Sequence, residues 1–466
     1  MTESRELYEK IISNDYCIGC GVCACVKDSP FKMHMNEYGN IVAYPYKNLD
    51  ENRAKVLSIC PFSNQAKNED EISEIFFSEV KNKDSKIGKY FECFAGYVKE
   101  GTFREKGSSG GLGKWLGYVL LKENKIDYFV QLLPNQTNDS KKPLFNYAII
   151  SNKDEVLSGS RSAYYPVTLV DAIKAIKETE GRFAITGIPC FIKALRLLSC
   201  ADEVLKTRIK YTIGIICGGM KSANQSKIIA WQLGVKPENL VSIDFRRKSK
   251  DKPSIHKVYQ VWSNLDTLER YKDSFEIYGT DWGAGYFKPN ACDYCDDIVG
   301  ETADVSFGDA WLPQFVNDPE GTSIMVIRNR GISELFNKYN ENQVLILQKL
   351  TPEEIGKSQE GGFRHRREAL SFRIAKKERN GIWYPMKRVI ANEYKITKKR
   401  KIIYSLREKI AEQSHISSLN ALNKNDLNIF YKEMNPLVKK YRIANHGTLP
   451  IRALRKIKYM IFNILK

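Results

Sequence analysis

Cys17, Cys20 and Cys23 stand two residues apart in Cys17-Ile-Gly-Cys20-Gly-Val-Cys23, and Cys60-Pro61 follows at a distance. Thiolates are soft, charged donors that suit iron. Three of them on tight turns, with a remote Cys-Pro, form the spacing that wraps a 4Fe–4S cluster. Zinc also accepts four thiolates, but its usual spacing is two CxxC pairs rather than a triplet. Gly19 and Gly21 let the backbone close around such a centre. A second group is more scattered. Cys190 ends Ile185-Thr-Gly-Ile-Pro-Cys190, Cys217 follows the apolar run 212–216, and Cys292 and Cys295 form a CxxC. In open α/β sheets, loops beyond the C-terminal ends of strands build the site. The residues alone suggest a second four-thiolate centre, with a cluster, a zinc ion and unrelated thiols all open. Cys25 reads as a spare buried thiol, and Cys93 and Cys200 as core residues.

The first spacing says more when set against two-cluster bacterial ferredoxins. There each motif reads C-x2-C-x2-C-x3-C-P, and each fourth cysteine serves the other cluster. Here the first motif's fourth position is Lys27, and the second motif's first three positions are Asp50, Arg53 and Val56. All four ligands of one cluster survive and all four of the other are gone. Residues 1–65 are therefore expected to form a ferredoxin-like module holding one 4Fe–4S cluster on Cys17, Cys20, Cys23 and Cys60.

The stretch Phe103-Arg-Glu-Lys106-Gly-Ser-Ser-Gly-Gly-Leu-Gly reads as a loop opening a helix over 112–123. Ser108 or Ser109 is suited to cap that helix. The N–H groups and positive dipole end attract an anion such as a cofactor pyrophosphate. Gly110 and Gly111 leave room for close approach, and Arg104 or Lys106 adds charge. The plainer reading is a tight helix cap without a ligand. Thr186 and Gly187, on a strand-end turn, are further candidates for cofactor contact. A GxGxxG fingerprint after a strand is absent, which argues against a Rossmann dinucleotide site. No proton donor stands out. Asp281, Lys288, Asp304 and Asp309 are candidates, with Asp304 and Asp309 equally suited to satisfying loop N–H groups. Trp282, Tyr286 and Trp311 are read as shielding or core aromatics.

Elements to position these residues can be read in the body of the chain. Short apolar runs predict strands over 94–98, 128–132, 147–150, 182–186, 211–216, 305–308 and 323–327. Helical patterns cover 112–123, 167–178, 191–198 and 224–233. The alternation argues for an α/β fold, α+β over the whole chain. The expected organisation is a ferredoxin-like module over 1–65, a polar linker over 66–89, a mixed α/β catalytic domain over 90–345, and a basic helical extension over 346–466. The 466 residues carry 42% hydrophobic and 27% charged residues, ordinary for a globular protein. No apolar run is long enough to span a bilayer, and no signal-peptide core opens the chain. Eleven cysteines without a secretion signal point to a reducing compartment and to metal ligation. The expected location is the cytoplasm.

The net charge of +18 is unevenly spread. From Arg364 onward there are 26 Lys and Arg against 7 Asp and Glu, while the rest is nearly neutral. Helices are expected over 402–412 and 427–440, punctuated by Pro385, Pro436 and Pro450. Three readings of this tail compete: a helical wrap with a solvated basic face, an anionic membrane surface, and nucleic acid. Leu454, Ile457, Ile461 and Ile464 fall on one helical face beside Arg452, Arg455, Lys456 and Lys458, which supports peripheral attachment to the inner membrane face. No nucleic-acid signature accompanies the charge, so specific nucleic-acid binding is not expected.

The segments Lys106-Gly-Ser-Ser-Gly-Gly, Thr186-Gly-Ile-Pro-Cys, Gly214-Ile-Ile-Cys-Gly, Ile243-Asp-Phe-Arg and Cys292-x-x-Cys followed by Ala303-Asp-Val-Ser-Phe-Gly-Asp occur in this order. With the ferredoxin-like module they resemble the beta-subunit family of deazaflavin-coenzyme (F420) hydrogenases and dehydrogenases. That family also includes a plant hydroxymethyl-chlorophyll reductase. The resemblance spans about residues 15–330 and implies an FAD- and iron–sulfur-dependent oxidoreductase. It implies electron transfer between a ferredoxin-type carrier and an organic two-electron small-molecule substrate. Carried over by position, Cys190, Cys217, Cys292 and Cys295 become ligands of a second 4Fe–4S cluster, and the loop at Ser108–Gly111 with Thr186 and Gly187 becomes an FAD contact. The basic tail resembles a bacterial subgroup associated with cell-surface polysaccharide genes. The alternatives are a deazaflavin-coenzyme oxidoreductase, and a non-catalytic electron-transfer or scaffold subunit at the membrane. An oligomer is compatible with each.

Overall fold

The computed structural model describes residues 1–249 and 251–447. The N-terminal region begins with the helix Glu3–Glu6, capped by the Thr2 hydroxyl, and runs on as a wider π-type turn to Ile12. A hairpin follows, β1 (Phe31–Met35) against β2 (Ile41–Pro45), with Met33 opposite Ala43. Its tip docks on the body: Ala223 N–H donates to the Gly39 carbonyl at 2.7 Å. The stretch read as a linker is ordered. It carries the helix Glu69–Phe76, closed by a reciprocal capping box between Asn68 and Glu71, and a two-residue hairpin, β3 (Lys83–Asp84) and β4 (Gly88–Lys89).

The body is built on an eight-stranded mixed sheet. In chain order its strands are β5 (Glu92–Val98), β6 (Tyr128–Pro134), β7 (Phe145–Ile150), β8 (Phe183–Gly187) and β9 (Ile209–Ile215). After an insertion come β13 (Val305–Asp309), β14 (Ser323–Ile327) and β15 (Leu345–Lys349). The spatial order is β15-β5-β14-β13-β9-β8-β6-β7. The four strands β13, β9, β8 and β6 are parallel neighbours, whereas the pairs outside them are antiparallel. Because β5 opposes β14 and β14 opposes β13, β5 also points the same way as β13. The loops after β5, β8, β9 and β13 therefore all emerge at one end of the sheet, the end where α/β folds build sites. All seven expected strands are present, each to within two residues at either end. The strand β15 carries the sheet a few residues past position 345. It was not expected because only Leu345 in it is fully buried, so its pattern is weak.

The insertion forms a separate antiparallel sheet, β10 (Leu240–Arg247), β11 (Val258–Ser263) and β12 (Arg270–Asp273). Register shifts between Leu240 and Ser242 and between Asp244 and Arg247 break the alternation along β10 and hide it from a two-residue periodicity.

Short helices at Pro352–Ser358, Glu360–Arg366 and Glu368–Arg379 lead to two long antiparallel helices, Lys398–Asn423 and Leu427–His446. The expected helix over 402–412 is the middle of the first. Pro436 does not punctuate: it lies inside the second helix. Phe430, Met434, Val438 and Tyr441 are buried there against Ile228, Tyr286 and Phe287 of the body. At about 1.5–3 kcal/mol per buried large apolar side chain, this pair is an integral layer rather than a solvated wrap. The expected amphipathic segment from Leu454 to Ile464, and Pro450, lie outside the described residues. Among the described residues no helix is long and apolar enough to cross a membrane.

Candidate functional site

The first four cysteines meet at one apolar hollow. Cys17, Cys20, Cys23 and Cys60 line it with Leu7, Ile11, Tyr16 and Phe62. Cys20 and Cys23 are buried, Cys17 and Cys60 half-buried. Burial and the neighbouring thiols drive the Cys20 and Cys23 pKa values up, and burial pushes Cys60 up to about 12. Four such thiols facing one another in an apolar setting are poor acids alone but become thiolates on a metal centre, which supplies the missing positive charge. Ala43 N–H points at the Cys17 sulfur, 3.4 Å away, as a donor to a thiolate would. Gly21 lies at φ +84°, and a Cβ there would come within 2.3 Å of the Thr168 hydroxyl oxygen. The glycine thus serves the close approach of the body to the cysteine loop: Leu169 N–H donates to the Cys20 carbonyl at 3.0 Å. Cys25 is half-buried rather than buried, its thiol bonded to the Gly21 carbonyl.

The second set is assembled by the sheet. Cys190 occupies the first turn of the helix Pro189–Ala201 just beyond β8, Cys217 lies two residues beyond β9, and of the CxxC, Cys292 lies within a short 3-10 turn, Asn290–Tyr294, and Cys295 directly follows it. The Cys190 thiol is pushed far up by burial and then by Cys295, Cys217 and Cys292, so the four lie in one neighbourhood. Cys20 acts on it too, which puts the two sets side by side. Gly219 N–H approaches the Cys217 sulfur at 3.3 Å and Met220 N–H the Cys292 sulfur at 3.4 Å. Buried Arg366 donates to the Cys217 carbonyl at 2.8 Å. Burial alone would lower its pKa, but Cys295, Cys217 and Cys292 raise it well above normal. Among the described residues no three His, Cys, Asp or Glu side chains converge tightly enough to grip a single metal ion. Zinc–sulfur bonds of about 2.3 Å would demand such convergence. Cys93 is a buried core residue, whereas Cys200 is exposed near the end of its helix, so that expectation is corrected.

The glycine-rich loop after β5 is held from both sides. Neither Ser108 nor Ser109 caps the following helix, Leu112–Lys122: Gly111, at φ +80°, is its N-cap residue and no side chain caps it. The Ser108 hydroxyl instead accepts from Ser162 N–H at 2.8 Å, and Ser109 donates to the Thr322 carbonyl at 2.7 Å. A Cβ on Gly110 would lie 2.3 Å from the Gly96 carbonyl oxygen, so this glycine is needed for packing on β5 rather than for leaving a ligand room. Beside the loop opens a cavity of about 230 Å³, lined by Lys106, Lys114, Arg161, Ser162, Asp244 and Trp262 among others. Lys114 donates to the carbonyls of Lys106 and Gly159, and burial followed by Arg161 pulls its pKa down to about 7. Arg161 pairs with Asp244 yet leaves its buried Nε without a partner. A cationic wall with an unused donor fits an anionic group. The volume lies below the usual ligand range of about 300–1,000 Å³, so a whole dinucleotide would extend beyond it. Thr186 and Gly187 lie at the end of β8 near Cys190 and do not line this cavity; Thr186 donates to the Val130 carbonyl.

Between loop and second thiol set lies a polar cluster that sequence reasoning missed. Arg246 of β10 holds Asp309 through two bonds, 2.8 and 3.0 Å, and donates to the Ser108 carbonyl at 3.1 Å. Burial would raise the Asp309 pKa, but Arg246 holds it below normal, so this carboxylate is a fixed anion and not an acid. Tyr164 packs edge-on to Trp282, with the Lys257 amine 5.7 Å from the Tyr164 ring and 5.1 Å from the Trp282 ring. Burial alone would raise the Tyr164 phenol, but Lys257 and Arg246 bring it below its ordinary value. Trp282 in turn covers Gly218, beside Cys217. Two stretches distant in sequence supply them: Tyr164 from the loop after β7, and Arg246 with Lys257 from β10 and the residue before β11. The Ile243-Asp-Phe-Arg segment was the one available signal.

The remaining candidates are structural. Asp304 accepts from Thr212 N–H and pairs with buried Arg196; Asp281 accepts from Gly283 N–H. Lys288 is paired with Asp293 at 2.5 Å, Tyr286 is buried under the C-terminal helices, and Trp311 is half-buried near Arg246.

The strand ends of the sheet thus bring together Cys190 and Cys217 with the CxxC, while the first cysteine set lies in the N-terminal module. The chain belongs to the coenzyme F420 hydrogenase/dehydrogenase beta-subunit family, a family of oxidoreductases: the family's N-terminal part matches residues 93–174 and its C-terminal part residues 180–353. A similar protein is the coenzyme F420-dependent sulfite reductase of Methanocaldococcus jannaschii, 23% identical over 342 residues. That match covers 70% of this chain but 46% of the relative, so the chain spans about half of that protein's length. Among solved structures, a chain from the F420-reducing [NiFe] hydrogenase complex of Methanosarcina barkeri is 15% identical, with a TM-score of 0.48 over 66% of this chain and 99% of that one.

Proposed function

We propose that the protein is an iron–sulfur flavoprotein oxidoreductase with two 4Fe–4S clusters and FAD, working between a ferredoxin-type carrier and a small organic two-electron substrate. The observation that carries this reading is the meeting of eight cysteines in two adjacent sets of four. Clusters exchange single electrons and a flavin exchanges one or two, so together they join one-electron supply to two-electron chemistry. Cys17, Cys20, Cys23 and Cys60 hold the outer centre; Cys190, Cys217, Cys292 and Cys295 hold the inner one. Lys106, Lys114 and Arg161 attract the cofactor's anionic portion. Ser108 and Ser109 fix the loop beside it, Gly110 and Gly111 let that loop pack, and Thr186 and Gly187 shape the turn into Cys190. Arg246 ties the loop to Asp309. Tyr164, with Lys257 facing it, holds a proton at its phenol oxygen, and Trp282 screens it from water.

A role in cell-surface polysaccharide metabolism is part of this proposal. A second reading, a coenzyme F420-linked oxidoreductase, is supported by the sulfite reductase match. The basic C-terminal segment is proposed to touch an anionic membrane surface.

Anaerobic purification with iron, sulfide and flavin analysis tests the reading. Two clusters require about eight iron atoms per chain. Iron at that level with stoichiometric FAD is expected. Iron without flavin would shift the reading to an electron-transfer subunit, and two clusters' worth of iron missing altogether would sink it. Growth or loss of the reduced deazaflavin's absorption on mixing would instead select the second reading.

A further inference from the structure

Both matched family segments end before residue 354, yet a strap from beyond them lies across both thiol sets. The Tyr16 hydroxyl, next to Cys17, donates to the Trp383 carbonyl at 3.4 Å, and the Tyr16 ring packs on Trp383 at 5.5 Å. Met386 N–H donates to Asn64 at 2.7 Å. The Lys387 amine donates to the Pro61 carbonyl, directly after Cys60, at 3.3 Å and lies 4.5 Å from the Phe62 ring centre. The next residue, Arg388, donates through its backbone N–H to Asp296, directly after Cys295, at 3.1 Å. Its guanidinium grips Glu301 at 2.7 and 2.8 Å. Thus two consecutive strap residues pin the residue following one ligand of each set.

We propose that Lys387 is a shared counter-cation that raises the reduction potentials of both iron–sulfur centres, held in place by the strap that joins them. This rests on the two-cluster reading. Each centre gains a negative charge on reduction, and a nearby ammonium in a poorly solvated setting stabilises the more negative state. The Lys387 amine sits at the carbonyl that follows Cys60, and the adjoining Arg388 is bonded to the residue that follows Cys295, so the strap seats this ammonium where the two sets meet. Besides Cys295, the charges facing Lys387 are Lys193, Asp296 and Glu69. Lys193 and Glu69 form a buried pair at 3.0 Å and Asp296 is bound by Arg388, so their charges are locally answered. Lys387 is therefore a positioning residue for electron flow: it touches no reacting atom but brings the two centres' potentials up together.

The test is an EPR-monitored redox titration of the full chain, purified anaerobically, as wild type, Lys387→Met and Lys387→Arg. In Lys387→Met the reduced-to-oxidised ratio of both cluster signals at fixed potential should fall about tenfold, a shift of about 59 mV for one electron. Lys387→Arg should keep both near wild type. A shift confined to one signal, or none, overturns the proposal. Loss of clusters in Lys387→Met and also in Lys387→Gln, with Lys387→Arg fully loaded, would make the charge a structural requirement and equally overturn the tuning role. Wild-type protein with fewer than two cluster signals would defeat the two-cluster reading itself, separately from any effect of Lys387.

Discussion

The two thiol sets are built by opposite means. The first is a property of one short region: a triplet on consecutive turns and a Cys-Pro from the same small module, closed over by β1 and β2. The second exists only because β8 and β9 are parallel neighbours, so that Cys190 and Cys217 emerge together and the insertion ending at Cys292 and Cys295 returns to them. One is local geometry and the other is topology. Local geometry should tolerate the loss of distant contacts, whereas topology should not.

Several substitutions break or sharpen that contrast. The largest effect is expected from Cys20→Ala, which should remove about half of the bound iron and one EPR signal and leave the other. Loss of both signals would mean that the sets load as one unit. Next comes Arg388→Ala. It takes from buried Asp296 its ion-pair partner and leaves Glu301 only the longer pair with Arg367, and breaking such a network costs about 3–5 kcal/mol. The denaturation midpoint should fall sharply, with the second set's signal perturbed first. The smallest effect is one of pH. Lys114 has its pKa depressed to about 7, so it is charged below that value and neutral above it. FAD retention should therefore weaken as pH rises from 6 to 9, and Lys114→Met should flatten that dependence in an equilibrium dialysis measurement. A wild-type curve flat across that range would remove Lys114 from the cofactor site.

The body strands were legible because most carry apolar runs, most clearly the five buried residues of β14. The antiparallel insert β10–β12 was not, since its bulges spoil the alternation. Position alone misled at the glycine loop. Ser108 and Ser109 have the right type and place to cap a helix, but Ser162 and the Thr322 carbonyl, just before β14, claim their hydroxyls first. Gly110 resembled a ligand-access glycine, yet it is required by the Gly96 carbonyl across the sheet. The basic tail was read from charge, and charge could not show that Phe430, Met434 and Val438 would find an apolar face at Tyr286 and Phe287 to bury against.

By itself the sequence determined the cysteine triplet with its distant Cys-Pro, the positions of the body strands and the charge imbalance, because each is written in neighbouring residues or in simple periodicity. Only the tertiary structure decided that Cys190 lies with Cys217 and the CxxC, that Tyr164, Arg246 and Lys257 gather near Trp282, and that the strap at Lys387 and Arg388 joins the two sets. Those meetings depend on which strands pair and which loops fold back, and pairing is fixed by the burial of whole faces, a cooperative choice that no single stretch of chain records.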